Sequence, residues 1–223
     1  MFNSKYSKLL TVILIIVIIA IVGTIGYFVY DIYVIKAKNN NAQEVMDEFD
    51  NTSIRREFDS TEDKENNGDK NPVDFMNAVS NQQTQQQVKK TYMESYEVMG
   101  KIEIPKTGIK YPILGEVTPR SLELSVAILY GVGLNQPGNT TIVGHNFRNG
   151  LFFSDNKKLA KGDIVKITDQ EGTTITYEIY DLFTTTPSDA EYMTRDTEGA
   201  REISLSTCTD DSSARLILLA REK

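Results

Sequence analysis

Tryptophan is absent from the 223-residue chain, and cysteine and histidine occur once each. A zinc site built from a Cys/His cluster is excluded, because such sites take three or four of these ligands. A lone thiol, Cys208, also excludes an intramolecular disulfide. Basic residues are outnumbered, with 24 Lys and Arg against 31 Asp and Glu and a net charge of −7. That balance leaves no electrostatic footprint for nucleic acid. The acids are spread along the chain rather than massed in a tail, so they read as a solvated surface. Internal repeats are lacking, and so is a phosphate-binding glycine loop. Gly131-Val132-Gly133 has no third glycine and no helix pattern behind it, and reads as a turn.

What is present begins with a long apolar run. Leu9 to Tyr30 contains no charged residue and is mostly Ile, Val and Leu. At about 1.5 Å per helical residue it covers the roughly 30 Å hydrocarbon core of a bilayer. A cleaved signal peptide has a shorter apolar region, about 7–15 residues, ending at a small-residue site. Gly23-Thr24-Ile25-Gly26 followed by Tyr27-Phe28-Val29-Tyr30 matches such a site poorly. The run is therefore expected to be an uncleaved anchor over 9–30, behind a short cytoplasmic tail over 1–8. Lys5 and Lys8 flank one end, Lys36 and Lys38 the other. This bias is weak, but a short leading tail and a long trailing part fit a cytoplasmic start and an outside domain.

Residues 31–92 read as a polar stalk. Asn39-Asn40-Asn41, Asn66-Asn67-Gly68 and the amide tract 81–87 carry too little apolar surface to offset the entropy of ordering them. Within it, Val45, Met46 and Phe49, then Ile54 and Phe58, are spaced for a short helix over 43–58. From residue 93 the pattern changes to short β-rich runs. Strands are expected over 98–104, 109–114, 140–143, 163–168, 173–183, 202–208 and 215–221. Breakers such as Gln136-Pro137-Gly138-Asn139 and Gln170-Glu171-Gly172 lie between them. One helix is expected over 119–125, with Thr118 as N-cap and Pro119 in its first turn. The domain is thus all-β, an antiparallel sandwich or barrel.

Cys208 ends one expected strand, and Asp210-Asp211-Ser212-Ser213 makes a turn before the next. With the turn centred between Asp211 and Ser212, Cys208 falls opposite Arg215 and shares its face. Ile203, Leu205 and Thr207 then share the other face with Leu216, Leu218 and Ala220, which suits a core. Ile217 and Leu219 lie on the cysteine face, which could floor a groove for an apolar substrate. A permanent cation beside a thiol favours thiolate, and its donors can meet an oxyanion. His145, the one histidine, closes the strand Thr141-Ile142-Val143-Gly144. Imidazole is the natural acid or base near neutral pH. Asn146, the next residue, could orient that ring.

Leu205-Ser206-Thr207-Cys208 followed by Arg215, the glycine-histidine strand end at Gly144-His145, and Lys101-Ile102-Glu103-Ile104-Pro105 together resemble the sortases. The resemblance runs from about Met99 to the C-terminus. It implies an eight-stranded β-barrel and a ping-pong cysteine transpeptidase. Cys208 would be the nucleophile, His145 the general acid and base, Arg215 the substrate or oxyanion partner, and Thr207 a support for the oxyanion. It further implies cleavage of an LPXTG-like sorting signal, carried by a surface protein or pilin. The product would pass to a peptidoglycan cross-bridge or a pilin lysine, on the outer side of the cell membrane. No cofactor is required for that chemistry. Some sortases bind calcium beside the groove; Glu103, Glu116 and Glu123 are near in sequence but match no site. The segment 184–201 is too short for the long inserted helix of the iron-acquisition class. Two other readings compete. An L,D-transpeptidase places its cysteine close behind a histidine and glycine, with arginine two positions later, where this chain has Asp210. A non-catalytic, membrane-anchored β-domain for binding or sensing accounts for anchor and stalk but leaves His145, Cys208 and Arg215 coincidental.

Overall fold

The computed structural model describes residues 4–65 and 90–223, with side chains for 9–52 and 90–223. The amide tract 81–87 and Asn66-Asn67-Gly68 lie outside the described residues. The chain divides into two compact units, Met1–Asn41 and Ala42–Lys223. A single helix, α1 (Ser4–Glu65), begins in the first and ends in the second. In the first unit its apolar stretch is long enough to cross a membrane.

Within the second unit, nine strands form one sheet. They are β1 (Tyr92–Met93), β2 (Tyr96–Ile104), β3 (Ile109–Leu114), β4 (Val126–Gly131), β5 (Gly138–Val143), β6 (Ile164–Asp169), β7 (Thr174–Thr185), β8 (Arg201–Cys208) and β9 (Arg215–Glu222). The order is β1-β2-β3-β4-β5-β8-β9-β7-β6, and β6 pairs back onto β2. The eight strands β2–β9 therefore close on themselves as a barrel, which removes sheet edges along most of its circumference. All seven expected strands are found. Two more were not expected: β1, only two residues long, and β4, where Val126–Gly131 is a short apolar run of a kind that periodicity alone does not assign.

Alternation along the strands fills the barrel. In β2, Val98, Gly100, Ile102 and Ile104 are buried in turn while their neighbours are half-exposed. Ile113, Val126, Ile142, Val165, Ile167, Ile203, Leu205 and Leu218 are almost wholly removed from solvent. The short helix α2 (Pro119–Leu124) forms where expected, one residue shorter. Thr118 accepts from the Ser121 amide while the Ser121 hydroxyl accepts from the Thr118 amide, a reciprocal cap.

The stretch expected to be stalk includes a packed element. Ala42, Val45, Met46, Phe49 and Thr52 form a stripe at helical spacing along α1, and all are buried. Val45 and Phe49 join Met93, Val98, Leu114, Leu124 and Ala127 in one apolar cluster. The Lys101 ammonium clamps Asp50 through both carboxylate oxygens, at 2.7 and 2.9 Å. A domain begun at residue 93 would expose that cluster. Phe49 is 1% exposed, and truncating such a phenylalanine costs about 3–5 kcal/mol. Phe49→Ala is therefore expected to lower the urea midpoint without changing the slope. An unchanged midpoint would mean that the helix only rests on the barrel.

Candidate active site

Two pairings bring three expected residues to one end of the barrel. In the first, β8 and β9 are antiparallel in the anticipated register, with Leu205 opposite Leu218 and Cys208 opposite Arg215. The connecting turn is held by the Thr209 amide donating to the Ala214 carbonyl at 3.0 Å, with Ser212 in the left-handed region at φ 62°. In the second, β5 runs parallel to β8 with Val143 beside Ser206. The Gly144 amide continues that ladder by donating to the Ser206 carbonyl at 3.2 Å. Carried two residues past that last pair, the same offset aligns His145 with Cys208. Cys208 thus ends β8, Arg215 begins β9 and His145 follows the end of β5 by two residues, on three neighbouring strands, and each is half-buried.

Gly144 is the residue that lets β5 end there. A β-carbon at this position would lie 2.8 Å from a Val126 methyl and 2.9 Å from the Phe153 ring. The His145 ring lies 4.9 Å from Phe147, which lies 5.7 Å from Phe152, itself 5.0 Å from Tyr111. Phe152 is fully buried and sits at φ 51°, a backbone state that only its packing sustains. This chain of tilted rings links the imidazole to the buried Phe152 and Tyr111.

Thr207 faces the barrel interior. Its hydroxyl donates to the Gly144 carbonyl at 2.8 Å, so its proton straps β8 to the end of β5 and is not aimed at the cysteine face. The two donors of the Asn146 amide go to the Cys208 carbonyl at 3.0 Å and to Asp210 at 2.9 Å, rather than to the imidazole as expected. Asp210 also takes the Lys157 ammonium at 2.6 Å, and the Lys157 and Asn146 bonds hold its carboxyl below the usual range. Asp211 is occupied by Thr209 and Ser213, which lower its carboxyl to about 2. Neither acid therefore neutralises Arg215. Among the described residues Arg215 has no ion pair, and its Nη1 reaches only the Ala214 carbonyl, at 3.4 Å.

The groove floor expected on this face is largely covered. Ile217 and Leu219 lie beneath Tyr192, with Phe183 and Met193 packed against them. Tyr192 and Met193 belong to α3 (Glu191–Thr194), in the connection between β7 and β8. That connection is fastened by groups invisible to sequence reasoning. Asn139 donates to the carbonyls of Tyr192 and Met193 at 3.3 and 2.9 Å. Arg195 reaches the Tyr192 carbonyl and the Ser204 hydroxyl, both at 2.6 Å, and pairs with Glu202. Glu202 is buried and also receives Arg221 at 2.7 Å and the Tyr180 hydroxyl at 2.8 Å.

Burial pushes the Glu202 carboxyl up, but hydrogen bonds from Arg195, Tyr180 and Arg221 outweigh it and hold it below the ordinary glutamate value. A carboxyl lowered on folding contributes stability above its unfolded value. That contribution is lost as pH falls through the folded one. The thermal midpoint is therefore expected to fall from about pH 4.5 downward, and less steeply in Glu202→Gln. At neutral pH that variant should be less stable than wild type, since it leaves the half-buried Arg195 without its carboxylate. Parallel pH curves for the two proteins would contradict this.

Glu103, Glu116 and Glu123 are not gathered into a calcium site. Glu103 sits between Lys101 and Lys110, and Glu123 pairs with Arg120. Among the described residues no three acidic, histidine or cysteine side chains come together as a metal ligand set.

Residues 102–223 match the family model of the sortase domain. The chain belongs to the sortase family. It is 28% identical over 154 residues to sortase A of Bacillus anthracis, covering 67% of this chain and 72% of that protein. Two solved sortases share its fold. Sortase C-1 of Actinomyces oris superposes with a TM-score of 0.52 at 26% identity, over 56% of this chain and 72% of that one. The sortase D5 transpeptidase of Clostridium perfringens superposes with a TM-score of 0.53 at 26% identity, over 66% and 88%. Sortases are cysteine transpeptidases that anchor surface proteins or polymerise pilins, and that is the class of activity assigned to this chain.

Proposed function

We propose that this sortase cleaves an LPXTG-like sorting signal with Cys208 as its nucleophile. The observation that carries this reading is the placement of Cys208 at the end of β8, Arg215 opposite it on β9 and His145 just past the end of β5, with no carboxylate among the described residues on the arginine. The Cys208 thiolate attacks the backbone carbonyl of the signal's threonine. The carbonyl π electrons move to oxygen, where the Arg215 guanidinium donates to the developing charge. Collapse breaks the C–N bond, and His145 as imidazolium delivers a proton to the departing amine. A thioester remains. An incoming amine gives a proton to neutral His145, adds to the thioester, and expels the Cys208 thiolate as a new amide forms. The strap from Thr207 to Gly144 keeps the two catalytic strand ends in register while this happens. Thr207 supports the oxyanion only through that positioning.

The same reading places 9–30 of α1 across the cell membrane as a single-pass anchor, with the barrel on the outer side. Its partners are surface proteins or pilins bearing the signal, and an amine from a peptidoglycan cross-bridge or a pilin lysine. Because the chain is similar to sortases A, C and D5, the acceptor is best identified directly. The full chain in detergent micelles would be given LPXTG-like peptides with either oligoglycine or an Nα-blocked lysine peptide. The expected result is an amide product that requires one of these amines. Absence of any product, with the peptide intact, would favour a non-catalytic anchored β-domain.

A further inference from the structure

Asn146 stands directly after His145, and its side chain crosses to the cysteine strand. One N–H of its amide donates to the Cys208 carbonyl at 3.0 Å and the other to Asp210 at 2.9 Å. Its Oδ1 accepts the Arg148 amide at 3.0 Å, closing the turn on itself. The opposite amide orientation would set Oδ1 against two acceptors, so the network selects one. Asp210 is tied in turn to Lys157, on the short helical turn Asn156–Lys158. The turn that carries Asn146 is braced separately. The Phe153 amide donates to the His145 carbonyl at 3.1 Å, and the Phe147 amide to Ser154 at 3.0 Å.

β5 and β8 have ended at this level. The ladder between them stops with the Gly144 amide on Ser206 and the Thr207 hydroxyl on Gly144. Beyond it, the Asn146 amide joins the histidine turn to the backbone of residue 208. From these contacts we infer that Asn146 is a positioning residue, which sets the separation of the His145 imidazole and the Cys208 sulfur by holding the Cys208 carbonyl. It touches no substrate. Its contribution is to orientation, where a misplacement of about 1 Å can cost roughly 10²-fold in rate. The inference rests on the assignment of Cys208 and His145 as the reacting pair.

The test uses the full chain in detergent micelles and two independent readouts. The first is single-turnover acylation by an LPXTG-like peptide. Asn146→Ala is expected to lower the acylation rate about 10- to 100-fold, with KM and the thermal midpoint nearly unchanged. Asn146→Asp is expected to be slower still, because its carboxylate faces the Cys208 carbonyl and Asp210. Adding Asp210→Ala to Asn146→Asp should recover part of that extra loss, a coupling that general destabilisation would not produce. The second readout is alkylation of the single thiol by iodoacetamide, which needs no peptide; Asn146→Ala should change its rate several-fold. Wild-type rates in both assays for Asn146→Ala would overturn the inference. So would a loss that appears only in KM or tracks a fall in thermal midpoint. If the wild-type chain acylates with no peptide, the functional reading has failed, and the alkylation rates decide the positioning claim alone.

Discussion

Cys208→Ala is expected to remove every covalent step at once. The chain has one cysteine, so no other thiol can replace it, and any thiol label on the wild-type protein reports this position. Cys208 is half-buried at the end of β8, on the barrel's outer face, with the unneutralised Arg215 directly opposite. In the proposed reaction the sulfur is the attacking atom. Without the sulfur no thioester can form, and peptide cleavage should fall to the uncatalysed background. The fold should be unaffected, since Cys208 points away from the core that Leu205 and Leu218 fill. Cleavage surviving in the alanine variant would contradict the assignment. Equal thermal midpoints of the two proteins would show that the loss is chemical.

Arg215 carries the second largest expected effect. Removing one donor to a developing oxyanion typically costs about 10²–10³-fold in kcat, and Arg215→Ala is expected to fall in that range. Arg215→Lys keeps the charge but loses the planar fork of donors, so it should sit between alanine and wild type. The thiol should be less reactive toward alkylation in the alanine variant. A surface arginine without a role would leave both rates within about twofold, which is the ordinary outcome for an exposed charge. Acids are near enough in sequence to have paired with Arg215, but Asp210 goes to Asn146 and Lys157, and Asp211 to Thr209 and Ser213.

Those two residues could be placed from sequence because they sit on a hairpin. A turn of Asp and Ser plus strict alternation sets the register of β8 and β9, and the observed pairing of Cys208 with Arg215 follows from local rules. His145 is different. Its approach to Cys208 depends on the parallel pairing of β5 and β8, whose partners are 63 residues apart. No local pattern encodes that contact, and only the family resemblance anticipated it. The buried stripe of α1 was partly legible. Val45, Met46 and Phe49 have helical spacing, but the adjacent Asn39-Asn40-Asn41 and the later amide tract make the region read as spacer. What the stripe covers, Met93 and Leu114 among others, lies far along the chain. The Glu202 network was not legible, because Arg195, Tyr180 and Arg221 converge on it from three separate segments.

An acyl-enzyme at Cys208 is the intermediate on which the proposed reaction depends. Intact-protein mass spectrometry of the full chain, incubated with a panel of LPXTG-like peptides and no amine, tests it most directly. The expected result is a peptide-sized adduct that is absent from Cys208→Ala and released when the accepting amine is added. No adduct from any peptide, together with a Cys208 inert to iodoacetamide, would contradict the account and leave an anchored β-barrel that binds without catalysing.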